Sequence, residues 1–121
     1  MCLTIDDVAK CCHEINRTYS LSIGDHTHKS WEETPEDIKA SARNGVLFYL
    51  ENPHASPEKQ HEVWKQFKIN QGWIYGEIKD SVKKTHPCII EYNKLPLNQK
   101  IKDYLFQTIV HNFKDKVKSR K

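Results

Sequence analysis

Apolar side chains recur every three or four residues along most of this chain, and this periodicity constrains the fold more than any other feature of the sequence. Each such stretch presents one apolar stripe, which is the pattern of an amphipathic helix packed against a core. The stripes cover residues 4–20, 34–52, 56–71 and 98–117. The sequence therefore predicts a mainly α-helical protein with about four helices.

Capping residues mark where three of these helices begin. Thr4 is followed three positions later by Asp7, which is a capping-box arrangement with Asp in place of the usual Glu. Thr34 and Ser56 each precede a proline and a glutamate, so we expect both hydroxyls to cap a helix whose first residue is the proline.

The third predicted helix carries its aromatic side chains near its middle. Val63, Trp64 and Phe67 share one face, and we expect them to point into the core. Gly72 supplies an end for this helix, because glycine adopts the left-handed conformation of a helix terminus at little steric cost.

The apolar period changes after Gly72. Residues 73–79 and 88–92 are short, aromatic and β-branched, and residues 80–87 separate them. This pattern predicts two short strands or extended segments, with a small antiparallel pair as one arrangement. No repeat or linker divides the 121 residues, so we expect a single domain over residues 1–121.

The charge is unevenly distributed. The chain carries a formal charge of +3, with an acidic half over residues 1–60 and a basic half over residues 61–121. The densest basic stretch is the C-terminal end, residues 114–121. Such an end can contact phosphates, but its cations equally suit the negative end of a helix dipole. We therefore do not expect nucleic acid as a partner.

Several enzyme and metal sites are excluded by their missing motifs. Four glycines are too few and too scattered for a phosphate loop or a dinucleotide fingerprint. Cys12, His13 and Glu14 list a nucleophile, a base and an acid, but consecutive helical residues point in different directions and cannot converge as a triad. His26 and His28 lack partners at metal-ligand spacing. We expect no catalytic residue, no metal site and no cofactor.

The cysteines and the apolar runs suggest a compartment. The chain has four cysteines, two of them adjacent, which does not suit a disulfide framework. The longest apolar runs fall far short of the roughly 20 residues that span a bilayer, and no charged-then-apolar leader opens the sequence. We expect a cytoplasmic protein with reduced thiols and no membrane contact.

A set of aromatic and polar residues in or beside irregular segments is the best candidate binding site. Aromatic faces next to arginine, asparagine and aspartate suit a base and its phosphates. The candidates are Asn16, Arg17, Asp25, Trp31, Trp64, Trp73 and Tyr75, with Lys84 and His86 beside similar segments.

Each candidate also has a purely structural interpretation. Trp64 and Trp73 are large enough to serve as core residues, and Arg17 can form an ordinary ion pair with Glu14 or Asp25. Trp31 lies in a stretch without period, which we interpret as a loop, so it is the strongest single candidate for ligand contact.

Several segments together resemble the ryanodine-receptor repeat (RyR) domain over about residues 9–110. The similar segments are residues 12–17, 24–25, 31, 41–46, 61–64, 71–76, 79–80, 84–88, 92 and 95–96. The most specific of them are the GWIYG run at 72–76 and the THPC run at 85–88.

This resemblance implies an α-rich module with two long antiparallel helices, shorter helices and a small β element. Members of the family are not known as enzymes, their paired copies hold adenine nucleotides, and stand-alone copies occur in bacteria and phages. The resemblance therefore implies a non-catalytic module that binds an adenine nucleotide or an NAD-derived signal. The alternative is a protein-interaction adaptor without a small ligand. A single copy also suggests a homodimer.

Overall fold

The structure of the protein is a computed structural model that describes residues 2–117. Within this range the four predicted helices are present, and the mainly α-helical fold class is confirmed. They are α1 (Ile5–Ser22), α2 (Glu36–Glu51), α3 (Pro57–Asn70) and α4 (Leu97–Phe113). Short 3-10 helices cover Trp31–Glu33, Tyr92–Lys94 and Lys114–Lys116. Of the basic end at 114–121, residues 118–121 lie outside the described range.

Two of the three predicted caps are confirmed. The Thr4 hydroxyl accepts a hydrogen bond from the Asp7 N–H at 3.0 Å, and the Asp7 carboxylate accepts one from the Thr4 N–H at 2.9 Å. The Ser56 hydroxyl accepts from the Lys59 N–H at 3.1 Å. These bonds satisfy N–H groups that have no partner within the first helical turn.

The predicted cap at Thr34 is wrong. α2 begins one residue later than expected, at Glu36, and the N-cap position falls on Pro35. The Thr34 hydroxyl instead donates to the Ser30 carbonyl at 2.7 Å, because Thr34 closes the 3-10 helix Trp31–Glu33.

Helices α1 and α4 are the two longest, and they run antiparallel, as the resemblance implied. The Leu3 N–H, just before α1, donates to the Lys116 carbonyl beyond the end of α4 at 2.7 Å. Near the other end, the Tyr19 hydroxyl donates to the Asn98 carbonyl at 2.8 Å. Within residues 2–117, no helix combines the length and apolar composition needed to cross a lipid bilayer.

The apolar core lies where α1, α2 and α4 meet. Its buried members are Val8, Ala9, Cys12, Trp31, Val46, Tyr49, Leu50 and Val110. Gly45 lets α2 approach its neighbours closely: a Cβ atom there would lie 2.7 Å from Gln60 Nε2 on α3 and 2.9 Å from Phe106 Cζ on α4.

Helix α3 does not turn its apolar face toward the core, although the sequence predicts that it does. Its buried side chains are polar: Gln60, His61 and Lys68 are each 4% exposed or less. Val63 and Phe67 line a shallow depression on the other side of the helix, so the prediction that they face the core is wrong. The polar face of α3 points into the protein, where it borders a cavity.

The β element is smaller than predicted and differs in pairing. Strand β1 (Ile74–Tyr75) pairs with β2 (Thr85–His86), and the two strands run parallel. The predicted strand at 88–92 is wrong, as is the antiparallel arrangement. The chain first turns back through an antiparallel bridge between Asp80 and Thr85, and it then continues alongside β1.

We predict that Gly45→Ala destabilises the fold. Alanine favours a helix over glycine by about 1 kcal/mol, but the added methyl group overlaps Gln60 and Phe106, and overpacking of this kind costs roughly 1–3 kcal/mol. Urea unfolding should show a lower midpoint. Asn44→Ala, one residue earlier in α2, is the control and should unfold at or above the wild-type midpoint. A Gly45→Ala protein more stable than Asn44→Ala would contradict the prediction.

Candidate functional site

A cavity of about 280 Å³ lies between the four helices and the segment 79–88. Its volume is close to the lower end of the roughly 300–1,000 Å³ typical of small-molecule sites. Most of the charged and titratable residues that line it are lysines and histidines, and only one of the lining residues carries a carboxylate. These residues are Lys29, Lys68, Lys79, Lys102, His13, His28, His61, His86 and Asp103.

Three of the seven predicted site residues line this cavity. They are Asn16 from α1, Trp64 from α3 and Trp73, which follows α3. The other four, Arg17, Asp25, Trp31 and Tyr75, lie outside its lining.

Trp64 presents its ring to the cavity among other rings. It stacks on His61, with ring centroids 5.4 Å apart, and meets His86 edge-on at 5.1 Å. Trp73 is only 1% exposed, and its indole N–H donates to the Asp37 carboxylate at 3.2 Å. Trp73 therefore anchors the corner after α3, whereas Trp64 is half-buried at the cavity itself.

Residues 26–30 form a loop, as predicted, but Trp31 does not lie in it, so the loop interpretation is wrong at Trp31 itself. It begins a 3-10 helix, is 7% exposed and belongs to the apolar core. Its backbone N–H donates to the Glu14 carboxylate at 2.9 Å. A single 3-10 turn buries one large side chain, so the sequence shows no repeated spacing of apolar residues there.

Two of the remaining three candidates have structural partners, and the third is exposed. Arg17 donates to Glu14 at 3.0 Å, which is the ordinary ion pair that the sequence left open. The Asp25 carboxylate accepts from the N–H and the hydroxyl of Thr27. Tyr75, on β1, is 52% exposed.

Two histidines of the cavity, His28 and His86, are held as neutral rings. His86 Nδ1 accepts from the Cys88 N–H at 3.0 Å, and His28 Nδ1 lies 3.1 Å from Lys79 Nζ, which donates to it. Burial, and to a lesser extent the Lys79 ammonium, lowers the pKa of His28 to about 4 and that of His86 to about 3.

Burial also shifts the pKa values of three lysines and of the aspartate in the cavity. Burial lowers the pKa of Lys68 and of Lys79 to about 8, and it lowers the pKa of Lys102 as well. Burial raises the pKa of Asp103 to about 7, so this carboxyl is partly protonated near neutral pH. At pH 7 Lys68 and Lys79 therefore remain mostly cationic, while the negative charge of Asp103 is reduced.

Three buried polar atoms of the lining have no hydrogen-bond partner among residues 2–117. They are Asn16 Oδ1, His28 Nε2 and Gln60 Oε1. Buried polar atoms in folded proteins are nearly always paired, so these three unpaired atoms are unusual features of the residues that line the cavity.

Sequence reasoning did not select the lysines, although one signal was present. Lys68 follows Trp64 by four positions and His61 by seven, so all three share a helix face. The partner of that face could not be identified from the sequence, because Lys79 and His86 come from irregular segments.

The family model of the RyR domain matches residues 50–115, just over half of the chain. The chain belongs to the RyR domain family. The match includes Trp64, Trp73 and His86 together with the cavity lysines of α3, segment 79–88 and α4. The resemblance over residues 9–49, which includes Asn16, stays a prediction.

We predict that Asp103→Asn stabilises this RyR domain above neutral pH. The folded-state pKa of about 7 lies above the unfolded value of about 3.9. The folded state therefore retains a proton that the unfolded state has lost, and the wild type loses stability as pH rises from about 4 to 7. The variant should gain about 1–3 kcal/mol at pH 8 and little at pH 4.5.

Urea unfolding at both pH values measures this effect. Asp115→Asn serves as the control, because Asp115 is exposed in the 3-10 helix after α4. An Asp103→Asn gain that is equal at the two pH values would contradict burial as its cause.

Proposed function

We propose that this RyR domain is a non-catalytic module that binds a small ligand in its central cavity, and that the ligand is an adenine nucleotide or an NAD-derived signal. The observation that carries the proposal is the combination of Trp64 with a lysine- and histidine-rich lining in one cavity. A flat ring stacks on an indole or an imidazole face, and phosphates pair with ammonium groups.

The unpaired polar atoms of the lining support the same proposal. Asn16 Oδ1 and Gln60 Oε1 are acceptors suited to an amino group or a hydroxyl of a ligand. A binding rather than catalytic role also fits the cysteines at the cavity. Burial raises the pKa of Cys12 and of Cys88, which keeps both thiols protonated and weakly nucleophilic.

We predict that adenosine, ADP and ADP-ribose raise the melting temperature, and that Trp64→Ala weakens their binding. A ligand at 100 times its dissociation constant stabilises a protein by about 2.7 kcal/mol. Loss of the indole surface should weaken affinity about tenfold, since an aromatic pair contributes roughly 0.5–1.5 kcal/mol beyond its burial. Calorimetric titration measures the change.

Phe67→Ala is the matched control, because Phe67 lies on the same helix but lines the outer depression. It should cost stability without changing ligand affinity. A panel with no stabilisation, or equal affinity losses for the two variants, would overturn the proposal.

Exposed apolar side chains favour the adaptor role as a second candidate. Ile74, Ile78 and Val82, on β1 and the turn that follows, are 62%, 79% and 91% exposed. If the three side chains form one contiguous patch, that patch is typical of a contact surface. If the ligand panel shows no effect, this surface becomes the first place to search for a protein partner.

We also propose a homodimer, and the same exposed surface can supply its contact. We predict that light scattering at high protein concentration gives the mass of two chains, and that Val82→Asp restores the mass of one. Lys83→Asp, at the neighbouring exposed position, should leave the dimer intact. A wild-type protein that stays monomeric at high concentration would exclude the dimer.

A further inference from the structure

Three lysines of the cavity are withdrawn from water without a carboxylate partner. Lys68 is 4% exposed, and Lys79 and Lys102 are half-buried. Within residues 2–117, no carboxylate oxygen lies within 4.0 Å of any of the three ammonium groups. Lysine is rarely buried unless it is paired, so the position of these side chains calls for an anion.

The partners that the lysines do have leave most of their N–H groups unused. Lys68 lies over the face of Trp73, with Nζ 4.6 Å from the ring centroid. Lys79 donates one hydrogen bond to His28 Nδ1. In the described part of the chain, Lys102 has no hydrogen-bond acceptor. A protonated ammonium group has three donors, so the cavity presents a surplus of them.

His86 adds a further donor to this group. Its Nδ1 accepts from the Cys88 N–H, which places the proton of the neutral ring on Nε2. The ring lies close enough to Lys68, Lys79 and Lys102 for all three to lower its pKa. The neutral His86 ring therefore carries an Nε2–H group that can donate a hydrogen bond.

The nearby carboxyl groups attract these lysines from beyond ion-pair distance, so they neutralise the cluster only in part. Asp37 accepts the Trp73 indole N–H, and Asp25 is bound to Thr27. Asp103 lines the cavity, but it forms no ion pair with a described residue, and its charge is diminished by burial.

We propose that Lys68, Lys79, Lys102 and His86 form an oxyanion subsite that binds the phosphate or pyrophosphate group of the ligand. The proposal rests on the proposed function and deepens it, because it divides the cavity into two parts. In this arrangement the flat ring of the ligand lies at Trp64, and its phosphates lie beyond His86, whose ring centroid is 5.1 Å from that of Trp64.

Calorimetric titrations with three probes test the subsite: adenosine, ADP and inorganic pyrophosphate, at constant ionic strength. ADP should bind more tightly than adenosine, and pyrophosphate alone should bind. Lys102→Met should weaken ADP and pyrophosphate about tenfold to a hundredfold, which is the effect of losing a hydrogen bond to a charged group. The affinity for adenosine should stay unchanged.

Lys100→Met is the matched control. Lys100 lies on α4 two residues earlier, outside the cavity lining, with its ammonium over the Tyr92 ring. It should leave all three affinities unchanged. Lys102→Met should fold normally, since a methionine in this position removes a desolvated charge and retains the length of the side chain.

The outcomes separate the subsite from the proposed function. Adenosine and ADP binding with equal affinity, or equal effects of Lys102→Met and Lys100→Met, would overturn the subsite and leave the proposed function in place. Pyrophosphate binding without adenosine binding would support the subsite and overturn the nucleotide as ligand. No binding of any probe would overturn both.

Discussion

Removing an ammonium group from water is expensive, and the interior of this protein is arranged around three of them. Trp73 offers its ring face to Lys68, and His28 accepts a bond from Lys79. These neutral contacts compensate the charges only in part. The remaining desolvation cost falls on the cavity and not on the apolar core.

The helical bundle has an apolar part and a polar part, because the inner face of α3 differs from those of the other helices. α1, α2 and α4 bury apolar side chains against one another, whereas α3 turns Gln60, His61 and Lys68 inward. Gly45 keeps α3 and α4 close to α2 on one side. The cavity therefore has the apolar core of α1, α2 and α4 on one side and the polar face of α3 on the other. The apolar core stabilises the fold in a way that the polar face does not.

The sequence predicted the helices well because their caps and apolar stripes are local signals. It predicted Trp64 at the site but misplaced Trp31, since a single 3-10 turn leaves no period to recognise. Lys102 could not be found, because its neighbours in space come from distant segments. The parallel β pairing was missed for a different reason: two-residue strands are too short to show an alternation.

The pairing of β1 with β2 determines how the cavity wall behaves. Backbone bonds from Ile74 to Lys84 and from Gly76 to His86 tie the segment that holds His86 to the end of α3. Backbone hydrogen bonds thus hold this wall in one arrangement. The proposed ligand would not have to order a loose loop on binding, and the entropy that such ordering costs would not be subtracted from its affinity.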